Sequence, residues 1–376
     1  MKRRVGVIGV GLGRFAPTLD EAQLTSQAVE AGRRALADAG VAASQVRVAC
    51  AAHADDPERR AHWLNPLGLD EAALLGAVPG MSTLRQAIRA IEDGTADCVL
   101  ALGFDTPELE SASLANRGER FDGFRDGAVA PALARYGHCA EEYQKRYGAR
   151  AETFAMAAVT AREHASRNPA ALFGQRLSLD EVLASERLAG PLTRLQFCEA
   201  AYGAAAVVLR AEDAARQPGT RAPVLVAAHV ALTEASRLAE PPVVGNGYAL
   251  NVAAAQQVYE LAGIGPQDID VCELLDKCTA GAILLYEALG FCREGQAERF
   301  IEDGDNTYGG NMIINPSGGL LGNGYSLAAS DLAQCAELVW QLRGEAGARQ
   351  VPRARTALQQ HLGPDGASEI TLYRRG

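Results

Sequence analysis

Short apolar runs along the chain alternate with longer stretches in which apolar residues recur at helical spacing. Residues 4–10 read as a buried strand, and 19–39 as a helix closed by Gly40. Residues 46–52 read as a strand, 55–69 as polar loop, 81–93 as a helix and 96–103 as a strand rich in Val, Leu and Ala. This β-α-β-α-β order predicts an α/β fold with a mostly parallel sheet under helices. Residues 105–193 break the pattern. They are charged, with helical runs at 135–147, 151–166 and 179–186, and read as a helical insertion over the sheet end where α/β folds bind ligands. Strands are expected again at 202–209 and 224–233, followed by a linker at Glu240-Pro241-Pro242. Beyond it come a helix at 250–262 capped by Gly263, a strand at 269–274, helices at 281–288 and 330–343, and a closing strand at 369–373. Leu36-Ala37-Asp38-Ala39-Gly40 before one strand is echoed by Leu261-Ala262-Gly263 before another. Two similar halves are expected: 1–105 with 194–239, and 240–376, with 106–193 inserted in the first.

The stretch Asn315-Pro316-Ser317-Gly318-Gly319-Leu320-Leu321-Gly322-Asn323-Gly324-Tyr325-Ser326 stands apart, because its glycines and proline disfavour ordinary helix or strand. It feeds the helix at 330–343. A glycine-rich loop before a buried helix commonly offers backbone donors and one polar side chain to a ligand, here Tyr325.

Composition narrows the function classes. A net charge of -10 argues against nucleic acid as a partner. An anionic substrate would need a local basic patch, for which Arg59, Arg60, Arg117, Arg120 and Arg125 are candidates. No apolar run reaches the roughly 18 residues of a membrane helix. The basic start Met1-Lys2-Arg3-Arg4 leads into the first strand rather than a signal sequence, so a cytoplasmic protein is expected. The 8 cysteines form no C-x-x-C and read as reduced core residues, and the 6 histidines form no metal-like cluster, so no metal is expected. Gly9-Val10-Gly11-Leu12-Gly13 has the look of a dinucleotide turn. Arg14, however, holds the third glycine's place, and no acidic residue ends a second strand at the expected distance.

Several segments carry a family resemblance. Ala96-Asp97-Cys98-Val99-Leu100-Ala101-Leu102-Gly103-Phe104, Asp305-Asn306-Thr307-Tyr308-Gly309-Gly310, Asn315-Pro316-Ser317-Gly318-Gly319 and Gln334-Cys335-Ala336-Glu337-Leu338 resemble thiolases of the sterol-carrier-protein-x type. So does Gln341-Leu342-Arg343-Gly344-Glu345-Ala346-Gly347, and the similarity runs over 5–351. It implies the thiolase fold, with duplicated βαβαβαββ halves packed in five layers, and a dimer.

The family's chemistry does not carry over. Where such thiolases have an acyl-accepting cysteine before Ser-Thr, this chain has Met81-Ser82-Thr83, and Leu84 replaces a usual glycine. A thioether cannot become a thiolate. The His-Asp-Cys-Phe motif reads Leu275-Asp276-Lys277-Cys278, and Gly-His-Pro reads Gly324-Tyr325-Ser326. Cys278 is one place late and should point away from the site, since neighbours on an extended chain face opposite sides. Two replacements, Lys277 and Tyr325, are ionisable. In one cavity they can exchange a proton, the ammonium favouring the phenolate.

In this respect the chain resembles the steroid side-chain-cleaving aldolases of the same superfamily, which carry tyrosines at both histidine positions and work with a small OB-fold, zinc-ribbon partner. Tyr325 matches one tyrosine, and Leu275 departs from the other. The resemblance implies retro-aldol cleavage of a β-hydroxyacyl-CoA with Tyr325 catalytic, and the ionisable Lys277 beside it is expected to be catalytic too. Met81, Leu275, Tyr308, Gly319 and Gly324 would line the substrate, and CoA enters only as part of it. Lys277, Tyr202, Tyr248 or Tyr308 would supply the second proton position, and imine formation at Lys277 is a further option. The alternative is a non-catalytic subunit that binds acyl-CoA or supports an intact thiolase.

Overall fold

The computed structural model describes residues 3–51, 62–69, 72–75, 81–105, 131–215, 222–233, 247–363 and 366–376. The basic-patch candidates Arg59, Arg60, Arg117, Arg120 and Arg125, and the linker at 240–242, lie outside them.

The first half runs β1 (Val5–Leu12), α1 (Glu21–Ala39), β2 (Val48–Ala51), β3 (Ala73–Leu75), α2 (Thr83–Glu92) and β4 (Cys98–Phe104). The insertion holds α3 (Pro131–Tyr147), α4 (Ala151–Ala165), α5 (Leu179–Ala184) and the small hairpin β5 (Arg187–Ala189) and β6 (Leu192–Thr193). After it come β7 (Ala204–Ala211) and β8 (Val224–Leu232). The remainder is α6 (Tyr248–Ala262), β9 (Val271–Glu273), α7 (Thr279–Ala288), α8 (Ala297–Glu302), β10 (Ile313–Ile314), α9 (Gly319–Asn323), α10 (Ser330–Arg343), β11 (Thr356–Leu362) and β12 (Ser368–Arg375).

The strands lie in the order β10-β9-β11-β12-β8-β1-β7-β4-β2-β3. Read from its outer edge inward, each half repeats one sequence of places, β3-β2-β4-β7-β1 in the first and β10-β9-β11-β12-β8 in the second. The repeat moves one expected boundary. Strand β8, assigned to the first half from sequence, pairs with β12 along its length but meets β1 only at Gly6–Leu225 and Val7–Val224. It occupies in the second half the place that β1 occupies in the first. The sheet is also mixed rather than mostly parallel. Helical crossovers make β2, β3 and β4, and likewise β9, β10 and β11, run parallel, whereas β7, β1, β12 and β8 pair antiparallel.

Period-two alternation makes the layers. In β7, Ala205, Val207 and Leu209 face a central core, and Ala204, Ala206 and Val208 face an outer one built on α1. In the second half, Val271, Ala357 and Tyr373 face the central core, and Cys272, Leu358 and Leu372 the outer one built on α6 and α7. Helices α2 and α10 fill the centre, giving five layers. The first glycines are explained by packing. A Cβ on Gly9 would lie 2.2 Å from the Ala35 carbonyl oxygen, so α1 rests directly on β1. A bulge after Val7 frees backbone groups that half-buried side chains satisfy: Val10 N–H donates to Asp38 (2.9 Å), and Arg343 donates to the Ile8 carbonyl (2.8 Å) and to Asp38 (2.7 Å).

The described part of the insertion packs on the second half. Tyr143 bonds Glu287, Tyr147 bonds Glu294, and Arg150 pairs with Glu298 (2.7 Å) and Glu302. His164 of α4 donates from Nδ1 to the Ile314 (3.0 Å) and Asn315 (3.1 Å) carbonyls, and Nε2 meets Thr307 Oγ1 at 2.7 Å. The insertion thereby closes the open edge at β10.

Candidate active site

Residues 274–278 leave β9 under tight control. Leu274 N–H donates to Asn315 Oδ1 (2.7 Å) and Leu275 N–H to Gln360 Oε1 (3.2 Å). Asp276, fully buried, accepts the Leu320 N–H at the start of α9 (2.7 Å). Desolvation pushes its carboxyl up to about 7, against those backbone bonds. Gly319 sits at φ 59, and a Cβ there would meet Asp276 Oδ2 at 2.3 Å, so only glycine lets the loop reach the carboxylate. The stretch expected to lack helix thus contains one short helix, α9, pinned at its start. Glu273 holds the preceding turn through Ser317 N–H (3.0 Å) and Oγ (2.9 Å).

Lys277 and Cys278 diverge as extended neighbours should. Cys278 caps α7, its Sγ accepting Gly281 N–H at 3.3 Å, and its side chain joins the outer core. Lys277 is buried on the other side, with its Nζ 4.3 Å from the centroid of the Tyr325 ring. The ribbon 198–201 sets their spacing. Cys198 N–H donates to the Lys277 carbonyl (2.9 Å), Tyr325 N–H to the Glu199 carbonyl (2.8 Å), and Ala201 N–H to the Tyr325 carbonyl (3.0 Å). Gly324, at φ 75, delivers Tyr325 to this ribbon. Leu275, Leu320, Leu321, Cys198 and Ala161 form the apolar cluster against which the half-buried Tyr325 and Leu362 pack. Burial raises the Cys198 thiol, with Lys277 opposing.

The other predicted residues fall elsewhere. Tyr308 donates its hydroxyl to the Arg349 carbonyl (2.6 Å), under Arg167 and edge-on to His164. Burial raises it to about 12. With its proton committed to the backbone, it supports the loop and does not join Lys277 and Tyr325. Tyr248 begins α6, also raised to about 12 by burial with Glu287 and Glu294 behind it. Tyr202 pairs with Ala16 on the far side of the ribbon. Met81 is half-buried at the entry to α2, its carbonyl accepting from Gln86 Nε2 (3.2 Å), while Ser82 caps the helix. Leu84 is buried in the central core. The 8 cysteines are all free, with Cys292 alone half-buried.

Sequence reasoning missed three contributors. The ribbon 198–201 has no periodic signature. Gln360 lies in β11, whose run of Gln359, Gln360 and His361 looks polar but is buried and bonded. Asp105 did carry a signal, as a carboxylate ending an apolar strand.

Residues 247–373 match the thiolase C-terminal domain-like family. Over 396 residues the chain is 39% identical to Sterol carrier protein 2 of Oryctolagus cuniculus, covering 99% of this chain and 72% of that protein. The chain belongs to the thiolase superfamily. Within it, the chain is a sterol-carrier-protein-2 thiolase-like member. It is also 33% identical over 297 residues to Benzoylsuccinyl-CoA thiolase subunit BbsB of Thauera aromatica, covering 79% of this chain and 77% of that one. Among solved structures it matches the Ltp2-ChsH2(DUF35) aldolase with a TM-score of 0.81 and 25% identity, over 99% of this chain and 98% of the other. Among the described residues of this thiolase-like chain, no helix is long and apolar enough to cross a membrane.

Proposed function

We propose that this thiolase-like chain is a carbon–carbon lyase that cleaves a β-hydroxyacyl-CoA by retro-aldol chemistry, with Tyr325 as acid and base and Lys277 as its proton partner. The observation that carries this reading is the Lys277 ammonium over the Tyr325 ring, beside a buried apolar cluster. The likeness to an aldolase along nearly the whole chain supports it.

In the cleavage direction Tyr325, as phenolate, takes the β-hydroxyl proton. The β-carbon becomes a carbonyl as the bond between α and β carbons breaks, and its electron pair forms the thioester enolate. The Lys277 ammonium lies nearby to stabilise that negative charge and to protonate the α-carbon. Transfer of the tyrosine's new proton to the lysine restores both groups. The balance closes without an acyl-enzyme, so Met81 in the nucleophile's place is no obstacle. The apolar wall of Leu275, Leu320 and Leu321 favours a bulky apolar acyl group, such as a steroid side chain. A homodimer with a small OB-fold, zinc-ribbon subunit is the expected assembly, since the aldolase it matches is named as a two-component protein.

The test incubates the chain, with and without such a subunit, with β-hydroxyacyl-CoA esters. Release of a carbonyl product and a shortened acyl-CoA is expected, falling about 10²- to 10⁴-fold in Tyr325→Phe. Unchanged turnover in that variant removes Tyr325 from the mechanism. A second reading, a non-catalytic subunit that binds acyl-CoA or supports an active thiolase, draws on Leu275 and Met81 being inert and on likeness to a named thiolase subunit. It wins if no ester is cleaved yet the chain raises the activity of an intact thiolase.

A further inference from the structure

Asp105, a buried carboxylate of the first half, directly follows the last residue of strand β4. Its Oδ2 accepts the hydroxyl of Ser326 at 2.5 Å and the N–H of Gly203 at 3.4 Å, and its Oδ1 accepts the N–H of Ala328 at 3.1 Å. Ser326 is the residue after Tyr325 and is fully buried. Its N–H donates to Ser330 Oγ (3.1 Å), and its Oγ accepts the Ala329 N–H (3.1 Å), so it also holds the turn that leads into α10. Gly203 lies just beyond Ala201, which bonds the Tyr325 carbonyl. The two stretches that hold Tyr325, one carrying it and one alongside it, therefore converge on a single carboxylate.

We propose that Asp105 is a positioning residue that fixes Tyr325 against Lys277, with Ser326 as the link between them. The proposal rests on the reading of Tyr325 as the acid and base. A buried carboxylate is costly unless several donors meet it, and here the named donors all come from stretches that flank Tyr325. The first half thereby sets the position of a side chain that belongs to the second. Ser326 suits this role because it supplies both a hydroxyl and an N–H, neither of which proline has in the Gly-His-Pro of related thiolases. In Asp105→Asn the amide faces backbone N–H donors with a donor of its own, which loosens the anchor while keeping side-chain volume. Ser326→Ala removes only the link.

The experiment has two arms. Protein labelled with 3-fluorotyrosine carries a reporter at each of its 10 tyrosines, and Tyr325→Phe assigns the resonance of interest. Asp105→Asn and Ser326→Ala should each shift or broaden the Tyr325 resonance and leave the others in place. In the kinetic arm each variant should lower kcat for thioester cleavage about ten- to a hundredfold with KM nearly unchanged. The double variant should be no worse than the poorer single, because both act through one contact. An unmoved Tyr325 resonance in both single variants overturns the proposal, as do kcat losses that multiply in the double variant. If the unsubstituted protein cleaves no thioester, the lyase reading fails on its own, and the fluorine spectra alone decide whether Asp105 positions Tyr325.

Discussion

The Lys277 ammonium stands 4.3 Å from the centre of the Tyr325 ring, although the two residues leave different loops of the second half. They are aligned because one ribbon, 198–201, bonds the backbone of both. A cation over an aromatic face holds both groups in place when buried. Lys277→Met keeps the stem and removes the charge. Its kcat for thioester cleavage should fall about 10²-fold or more, with a smaller change in KM. Steady-state kinetics on a β-hydroxyacyl-CoA checks this. Equal kcat in the two proteins would show that the ammonium takes no part.

The same geometry bears on imine chemistry. In this cleavage the electron-accepting carbonyl belongs to a thioester, which does not form an imine with an amine, so Lys277 has no Schiff base to form on that side. Borohydride reduction in the presence of the ketone product should leave the intact mass unchanged. A reduced adduct mapped to Lys277 would replace proton transfer with imine catalysis.

Met81→Cys puts a thiol back at the entry to α2, yet should not create a thiolase. Leu275 and Tyr325 occupy the places of the two histidines in related thiolases, so no imidazole is there to activate the new thiol. Intact mass after incubation with acyl-CoA should show no acyl adduct, and thiolysis of a 3-ketoacyl-CoA should stay at background. A stoichiometric acyl adduct would mean that Lys277 and Tyr325 already activate a nucleophile.

Much of this arrangement could be read from the chain. The helices at α1, α4 and α10 follow from clean apolar spacing with Gly40 and Gly344 as left-handed caps, and Lys277 and Tyr325 were singled out as the ionisable pair. The sequence did not show what depends on partners far along the chain. Strand β11 was passed over because Gln359, Gln360 and His361 are polar. They are buried because Tyr373, Asn251 and Gln334 satisfy them. Tyr308 likewise donates its hydroxyl to the carbonyl of Arg349, a partner 41 residues further along the chain. Strand β8 was given to the wrong half because local pattern carries no information about which edge a strand will join.

His164 shows how the insertion holds the second half. Its ring donates from Nδ1 to two carbonyls at the β10 edge, which fixes Nε2 as the acceptor for Thr307. Burial lowers its pKa and keeps it neutral. His164→Ala leaves those carbonyls and a hydroxyl unsatisfied beside a cavity, and should cost about 2–4 kcal/mol in denaturant unfolding. A loss below about 0.5 kcal/mol would mean that the edge is sealed by other contacts.

Asp331 joins the two central helices. It lies in the first turn of α10, where its Oδ1 accepts the Leu332 N–H at 2.7 Å, and the Leu84 N–H in the first turn of α2 lies within electrostatic reach of its carboxyl. Among the described residues its Oδ2 has no hydrogen-bond partner. Desolvation raises its pKa from 3.8 to about 7, with Glu369 adding to the rise and the two backbone N–H groups opposing it. Arg85 holds Glu369 in turn, at 3.5 Å, and Tyr373 and Cys335 lie within electrostatic reach. Because the folded protein binds this proton more tightly than the unfolded chain, the stability is full below about 3.8 and is lost as pH rises to about 7. Asp276 titrates with the same sign. A shift of this size is worth on the order of 4 kcal/mol as an upper bound, since buried sites relax when they ionise. Asp331→Asn keeps the acceptor for the backbone N–H groups and removes the titration. Its stability measured by urea unfolding should therefore fall less between pH 4.5 and about 7.5 than that of the unsubstituted protein, and exceed it at the upper end. Parallel pH profiles for the two proteins would show that Asp331 is not the group that titrates.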